Sequence, residues 1–191
     1  MYRFALLALV AAAAAEHHHT CSPVDTVADF KYDEFAQGTW YELARYKNTA
    51  REQGMCGRAE YTLEGETFKI KNCNVLNGKE KCIDGVGKLD PEAANHGKLI
   101  CSYPYGPSGK MVDSKVNVIA TDYKTYAILY YCKHDEANNI HMDLSWVLGR
   151  SKSLTPEDRE KVIKIIKDTP VLEEKKYEEV NFSEEACKIT A

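Results

Sequence analysis

Between residues 39 and 148, apolar and polar positions alternate in short runs, interrupted by turn signals at intervals of about ten residues. GTWYELARY, CGRAEYTLEG, TFKIKNCNV, EKCIDGVGKL, LICSYPY, KVNVIA, TYAILYYC and IHMDLSWVL read as eight strands in succession. Within each, alternation sends successive side chains to opposite faces. DPEAANHG, GPSG, TDYK and HDEANN divide the later ones. Asn77-Gly78 between the third and fourth is a strong hairpin signal, because a tight two-residue turn needs residues that tolerate positive φ. Links this short leave no room for crossover helices, so the pattern predicts an antiparallel sandwich or barrel. In KVNVIA, Val116, Val118 and Ala120 share a face. In TYAILYYC both faces are apolar, with Ala127, Leu129 and Tyr131 on one and Tyr126, Ile128 and Tyr130 on the other. A strand apolar on both sides fits a barrel wall, with a cavity inside and a helix packed outside. Eight up-and-down strands close into a barrel that just holds one small ligand.

The period changes after Arg150. Thr155-Pro156-Glu157-Asp158 combines a capping hydroxyl, a proline suited to the first helical turn and acids near the positive end of the helix dipole. The spacing predicts one α-helix over about residues 155–168, with Val162, Ile163 and Ile166 as its apolar stripe. Asp168-Thr169-Pro170 ends it, and a polar tail runs on to Cys187. The fold class expected is therefore all-β, an eight-stranded antiparallel up-and-down β-barrel over about 38–149 with one C-terminal α-helix packed outside.

Composition adds a compartment. Residues 1–15 carry Arg3, then FALLALVAAAAA ending on small residues, the pattern of a secretory signal peptide. This run is too short to span a bilayer, which needs about 20 apolar residues, and no later run is long enough. Removing fifteen of the 191 residues leaves 176, enough for one domain at residues 16–191, and moves the formal charge from −4 to −5 by loss of Arg3. A mildly acidic chain without a basic tract argues against nucleic acid as a partner. Seven cysteines behind an export signal point to an oxidising compartment, and an odd number leaves at least one thiol over. His17, His18 and His19 open the mature leader. With Glu16 as the new terminus, His18 stands third, a spacing that can chelate Cu(II) or Ni(II); a solvated leader is the plainer reading.

Gly38-Thr39-Trp40 entering the first strand, Thr121-Asp122-Tyr123 before the seventh and Arg150 after the eighth are the three signatures of the lipocalin family, which the chain resembles. The resemblance implies a barrel floor made by the Trp40 ring with Arg150 stacked across it, a cation–π contact. Cys56-Gly-Arg-Ala-Glu-Tyr-Thr, Asn77-Gly-Lys-Glu, Tyr130-Tyr-Cys-Lys, Trp146-Val-Leu-Gly-Arg-Ser-Lys and Asn181-Phe-Ser-Glu-Glu-Ala-Cys-Lys are similar to segments of the insect bilin-binding lipocalins, the insecticyanin group. The likeness runs from about Cys21 to Lys188. It implies a biliverdin-type tetrapyrrole bound non-covalently at the open mouth, in a secreted protein of a body fluid such as haemolymph, for pigmentation, transport or sequestration. Association between copies through the loops and outer face is also implied by related barrels.

Carried over by segment, the ligand-facing set is Asn72 and Asn74 on the third strand and Ile83 on the fourth. Tyr103 and Tyr105 come from the fifth strand, Val116 and Val118 from the sixth, and Leu129 and Tyr131 from the seventh. Met142, Leu144 and Trp146 come from the eighth, and Arg51 stands in the loop at the entrance. Aromatic faces suit a conjugated ring system. The asparagines offer donors and acceptors to pyrrole N–H and lactam oxygen, and Arg51 or Lys81 could meet propionates. Asn74, Met142 and Leu144 stand where those relatives place His, Gln or aromatic residues, and Pro104 is unexpected inside a paired ladder. An ordinary filled barrel core is the competing account of the aromatics.

The same likeness implies two disulfides, Cys21–Cys132 and Cys56–Cys187. Cys73, Cys82 and Cys101 have no counterpart in it. A two-residue turn at Asn77-Gly78 pairs Leu76 with Lys79 and, counting outward, Cys73 with Cys82 as close non-hydrogen-bonded neighbours. This geometry predicts a Cys73–Cys82 bridge, with two reduced thiols as the alternative. Cys101 is left as the free thiol, facing the barrel by alternation with Leu99 and Tyr103. A buried inert cysteine is the default for it. An internal Cys101 that isomerises a lipid peroxide, as in the prostaglandin D synthase type of lipocalin, is the enzyme alternative, and it would need an electropositive neighbour. No other catalytic constellation and no metal cofactor is expected, so the reading is a binding protein and not an enzyme. A retinoid, carotenoid or fatty acid is the alternative guest. Asn181-Phe-Ser183 is a glycosylation sequon.

Overall fold

A computed structural model describes residues 20–47, 53–138 and 140–190. The signal peptide, the leader histidines and the Arg51 loop expected from the sequence lie outside the described residues. Eight strands run β1 (Gly38–Tyr46), β2 (Met55–Glu64), β3 (Thr67–Leu76), β4 (Lys79–Leu89), β5 (Lys98–Tyr105), β6 (Lys110–Thr121), β7 (Tyr126–Asp135) and β8 (Ile140–Gly149). Each pairs antiparallel with its successor, and β1 closes the barrel by pairing with both β8 and β2.

Turn chemistry sets the register. Asn77 and Gly78 take φ of 53° and 71°, the two positive values that a type I′ turn demands, and Leu76 then faces Lys79. Cys73 therefore falls opposite Cys82, at a Cα separation of 4.1 Å, and the two are bridged. Pro104 is tolerated because the β4–β5 ladder ends at Ser102, so β5 has no strand beside it on that edge beyond this point.

Helix α2 (Pro156–Asp168) starts where the sequence indicates: the Thr155 hydroxyl accepts from the Asp158 N–H at 3.1 Å. Its buried face is Val162 and Ile166, flanked by Ile165, against Ile128, Tyr130 and Val147 of β7 and β8. The expected stripe named Ile163 in place of Ile165. Residues at i, i+3 and i+4 share one helix face, whereas i+1 is turned by about 100°.

Three short elements are added to the expected eight strands and one helix. A short α1 (Tyr32–Phe35) precedes the barrel and delivers Phe35 to its closed end. The polar tail carries a single 3₁₀ turn at Glu174–Lys176 and a ninth strand, β9 (Tyr177–Glu179), which pairs with Ala44, Arg45 and Tyr46. A three-residue Tyr-Glu-Glu has no hydrophobic period to reveal it. Its place is made by β1, whose partner β2 is engaged only as far as Tyr41. Beyond β9 the tail crosses the outside of β2 and β3, held by Cys56–Cys187 and by the Thr190 N–H donating to the Gly78 carbonyl. Cys21–Cys132 ties the chain's start to β7.

Candidate ligand-binding site

The closed end of the barrel is a plug of packed rings. Trp40 is fully buried, and its Nε1 donates to the Phe35 carbonyl at 3.1 Å. Phe35 also packs on Phe30 and Tyr61, and Tyr61 on Phe68. The Arg150 guanidinium covers the Trp40 ring at 3.6 Å from its centroid and donates to the carbonyls of Glu34, Gln37, Thr39 and Tyr123. Desolvation there lowers its pKa. The Asp122 carboxylate caps the β6–β7 turn by accepting from the Thr125 hydroxyl and the N–H groups of Lys124, Thr125 and Tyr126. Burial tends to raise its pKa, but those donors together hold it below the ordinary value.

Above the plug the barrel opens into a cavity of about 640 Å³. Asn72, Asn74, Ile83, Tyr103, Tyr105, Val116, Leu129, Tyr131, Met142, Leu144 and Trp146 line it. Val118 does not. Although it faces inward, it is fully buried in the plug, where its backbone bonds Val27 and Gly97 and its side chain lies against Gly97 below the cavity. Alternation alone does not separate it from Val116, one inward position nearer the mouth. Arg51 lies outside the described residues. Asn181 is exposed, its side-chain oxygen accepting from the Ser183 N–H at 2.8 Å.

Further residues line the cavity beside the assigned ones. Cys101 and Ser114 stand one alternation step from Tyr103 and Val116, Leu99 stands one step further along β5, and on β2 Ala59 lies opposite Asn72 and Tyr61 opposite Ile70. Glu42, two residues after Trp40, also lines the cavity. Alternation gives no sign of Arg45 beside it. A bulge between Glu42 and Ala44 brings Arg45 opposite Trp146, where its guanidinium meets Glu42 at 2.9 Å, Glu178 at 3.2 Å and the Gly54 carbonyl. Desolvation opposes its charge, but Glu42 and Glu178 hold its pKa above the ordinary value.

Two glycines shape the wall. Gly85 and Gly87 stand on the inner face of β4, opposite Ile70 and Phe68. A Cβ on Gly85 would meet the Tyr103 ring at 2.6 Å, and one on Gly87 would stand inside the Phe68 ring. Their bareness lets both rings lie flat against β4. Tyr103 in turn accepts from Asn72 Nδ2 at 3.0 Å. Asn74 Nδ2 donates to the Gln53 carbonyl at 2.8 Å. With both amide nitrogens so committed, the Oδ1 oxygens of Asn72 and Asn74 are buried without a hydrogen-bond partner among the described residues. Cys101 is buried beneath these groups, and desolvation pushes its thiol up to about 12, so it stays protonated at neutral pH.

A family model described as the lipocalin / cytosolic fatty-acid binding protein family matches residues 37–183. The chain belongs to this family. Among curated lipocalins it is 40% identical to a bilin-binding protein of Pieris brassicae, over 99% of each chain. It is 32% identical to insecticyanin-B of Manduca sexta, over 98% of this chain and 91% of that one. The solved structure of Manduca sexta insecticyanin superposes with a TM-score of 0.80, at 32% identity over 90% of each chain. The lipocalin likeness thus extends from the signatures at the floor to the closed barrel itself.

Proposed function

We propose that this chain is a secreted carrier that holds a biliverdin-type tetrapyrrole non-covalently in the barrel. The observation that carries the reading is the pair of buried oxygens on Asn72 and Asn74 that find no partner among the described residues. A buried carbonyl acceptor without a donor costs about 1–3 kcal/mol. A guest bearing N–H groups relieves that cost, and a bilin carries several along one edge, whereas a fatty acid or carotenoid brings none. The aromatic wall of Tyr103, Tyr131 and Trp146 offers flat faces to its conjugated rings. Lys81 at the rim, and Arg51 by its place in the sequence, are cations suited to propionates.

The names of the bilin-binding protein and insecticyanin relatives support the same guest. A protonated Cys101 supports non-covalent holding and gives thiolate chemistry no footing. Three disulfides and the leader at residues 1–15 support export to an oxidising compartment, with a mature domain from residue 16.

The test is to titrate the purified mature chain with biliverdin. A shifted visible band and quenched tryptophan fluorescence, both saturating at one equivalent, are expected. Asn72→Val should weaken binding about tenfold, the loss of one hydrogen bond. Unchanged spectra at stoichiometric mixing, or tighter competition by retinoid or fatty acid, remove the bilin reading.

A further inference from the structure

The outer half of the β5–β6 hairpin is paired with itself and with neither neighbour. Its own ladder runs from Lys98↔Asn117 out to Tyr105↔Lys110. β4 pairs with β5 only as far as Ser102, and β7 pairs with β6 only from Val116 to Thr121. By register, residues 103–115 therefore have no strand on either edge. The β3–β4 hairpin beside it is held differently: β2 pairs with it as far as Val75, and at its tip the Thr190 N–H donates to the Gly78 carbonyl.

The sequence keeps the β5–β6 tip apart. Pro104 has no N–H to offer an adjacent strand. Gly106 and Gly109, at φ of 66° and 64°, close the turn around Pro107 and Ser108. Among the described residues, 104–112 hydrogen-bond only with one another. The last tie to the barrel is Tyr103, whose hydroxyl accepts from Asn72 at 3.0 Å and whose ring lies against Gly85. Below it the Ser102 hydroxyl donates to Asp113 at 2.6 Å across the base of the hairpin.

The side chains on this tip are apolar where water reaches them. Tyr105 and Val112 face inward and line the cavity, yet they are 63% and 44% exposed. Ile83, on the facing edge of β4, lines it too and is 41% exposed. Covering such surface is favourable. The cavity is continuous with all three side chains, so the surface placed to cover them is that of an apolar guest inside it.

We propose that residues 104–112 form a flap, hinged at Ser102, Tyr103 and Asp113, that folds over the mouth and lays Tyr105 and Val112 on the outer edge of an apolar guest. The flap rests on the cavity holding such a guest and not on that guest being a bilin. A closed flap retains the guest, so its effect falls on release more than on capture.

The experiment places nitroxide labels on the mature, disulfide-intact chain at Ser108→Cys, on the flap, and Lys79→Cys, on the fastened hairpin; both positions are exposed and neither lines the cavity. Double electron–electron resonance then reads the distance between them, without a guest and with saturating biliverdin or anilinonaphthalene sulfonate, an apolar fluorophore whose emission reports occupancy. The distance distribution should be broad without a guest and should narrow and shift with either probe. A shift with the fluorophore alone supports the flap while removing the bilin guest. An unchanged distribution at saturation overturns the flap, as does failure of both probes to bind. In stopped flow, the double variant Tyr105→Ala, Val112→Ala should release the bound probe about tenfold faster with little change in association rate. Parent-like release, or a loss confined to association, overturns the flap as well.

Discussion

The Arg150 guanidinium lies 3.6 Å from the centroid of the Trp40 ring and, from that position, binds four backbone carbonyls of the closed end. One planar cation thus joins α1, the start of β1 and the β6–β7 turn. Its fork geometry makes this a site where lysine is no substitute, because an ammonium has three donors and no flat face to lay on indole. Arg150→Lys should therefore destabilise the apo-protein by about 3 kcal/mol, from lost charge-assisted hydrogen bonds and weaker stacking. Equilibrium urea unfolding measures it. An unfolding midpoint equal to that of the parent would show the floor to be held by the ring packing of Phe35, Trp40 and Tyr61 alone.

Gly85 and Tyr103 make a second contact open to a single substitution. A Cβ at residue 85 would lie 2.6 Å from the ring carbons of Tyr103 and 2.8 Å from the Ser102 carbonyl. The ring has to move, and its hydroxyl then leaves Asn72. Gly85→Ala should cost about 1–3 kcal/mol as overpacking. It should also weaken biliverdin binding, since the displaced ring enters the cavity. Thermal unfolding and a visible-band titration read the two effects separately. A variant with native stability and native affinity would mean that the wall gives way without cost.

Much of this was legible in the chain, and the parts that were not have a common cause. The Cys73–Cys82 pairing follows from Asn77-Gly78 because a two-residue turn leaves one register, and alternation then fixes which faces point inward. Alternation gives a side, however, and not a height. Val116 and Val118 look alike in sequence, and only the plug formed by Phe30 and α1 decides that one lines the cavity and the other lies beneath it. The Glu42–Arg45 pair was hidden for a different reason. It depends on a bulge in β1 that no glycine or turn residue announces, and on β9, a strand created by the neighbour it pairs with. The orphaned oxygens of Asn72 and Asn74 likewise depend on where the Tyr103 hydroxyl and the Gln53 carbonyl come to rest.

The three disulfides should rank by the chain they close. Cys73–Cys82 spans 9 residues, against 111 for Cys21–Cys132 and 131 for Cys56–Cys187. On the chain-entropy account, replacing both cysteines of the short bridge with alanine should cost about 2.5 kcal/mol, and either long bridge about 5 kcal/mol. Urea unfolding of the three paired variants gives the order. A short-bridge variant as unstable as the long-bridge ones would point to the hairpin itself, and not loop closure, as what that bridge protects.

Alkaline pH should unfold the apo-barrel before any other titration does. Burial pushes the Cys101 thiol up to about 12, and the phenols of Tyr32 and Tyr46 also to about 12, with Tyr61 and Tyr177 raised further by desolvation. In the unfolded chain a thiol ionises near pH 8.5 and a phenol near pH 10. Above those values the unfolded state has released protons that the folded state still holds, so stability falls as pH rises. The stability contributed by these groups is fully present below about pH 8.5, begins to fall as Cys101 becomes ionisable in the unfolded chain, and falls faster above about pH 10. Urea midpoints measured from pH 8 to pH 11.5 should decline in that window, while tyrosinate absorbance lags behind that of the denatured chain until the barrel opens. A thiol-specific reagent at pH 8 should find no fast-reacting Cys101 in the native protein and one equivalent in denaturant. Rapid labelling of the native chain would place the thiol in contact with solvent and reopen the question of its reactivity.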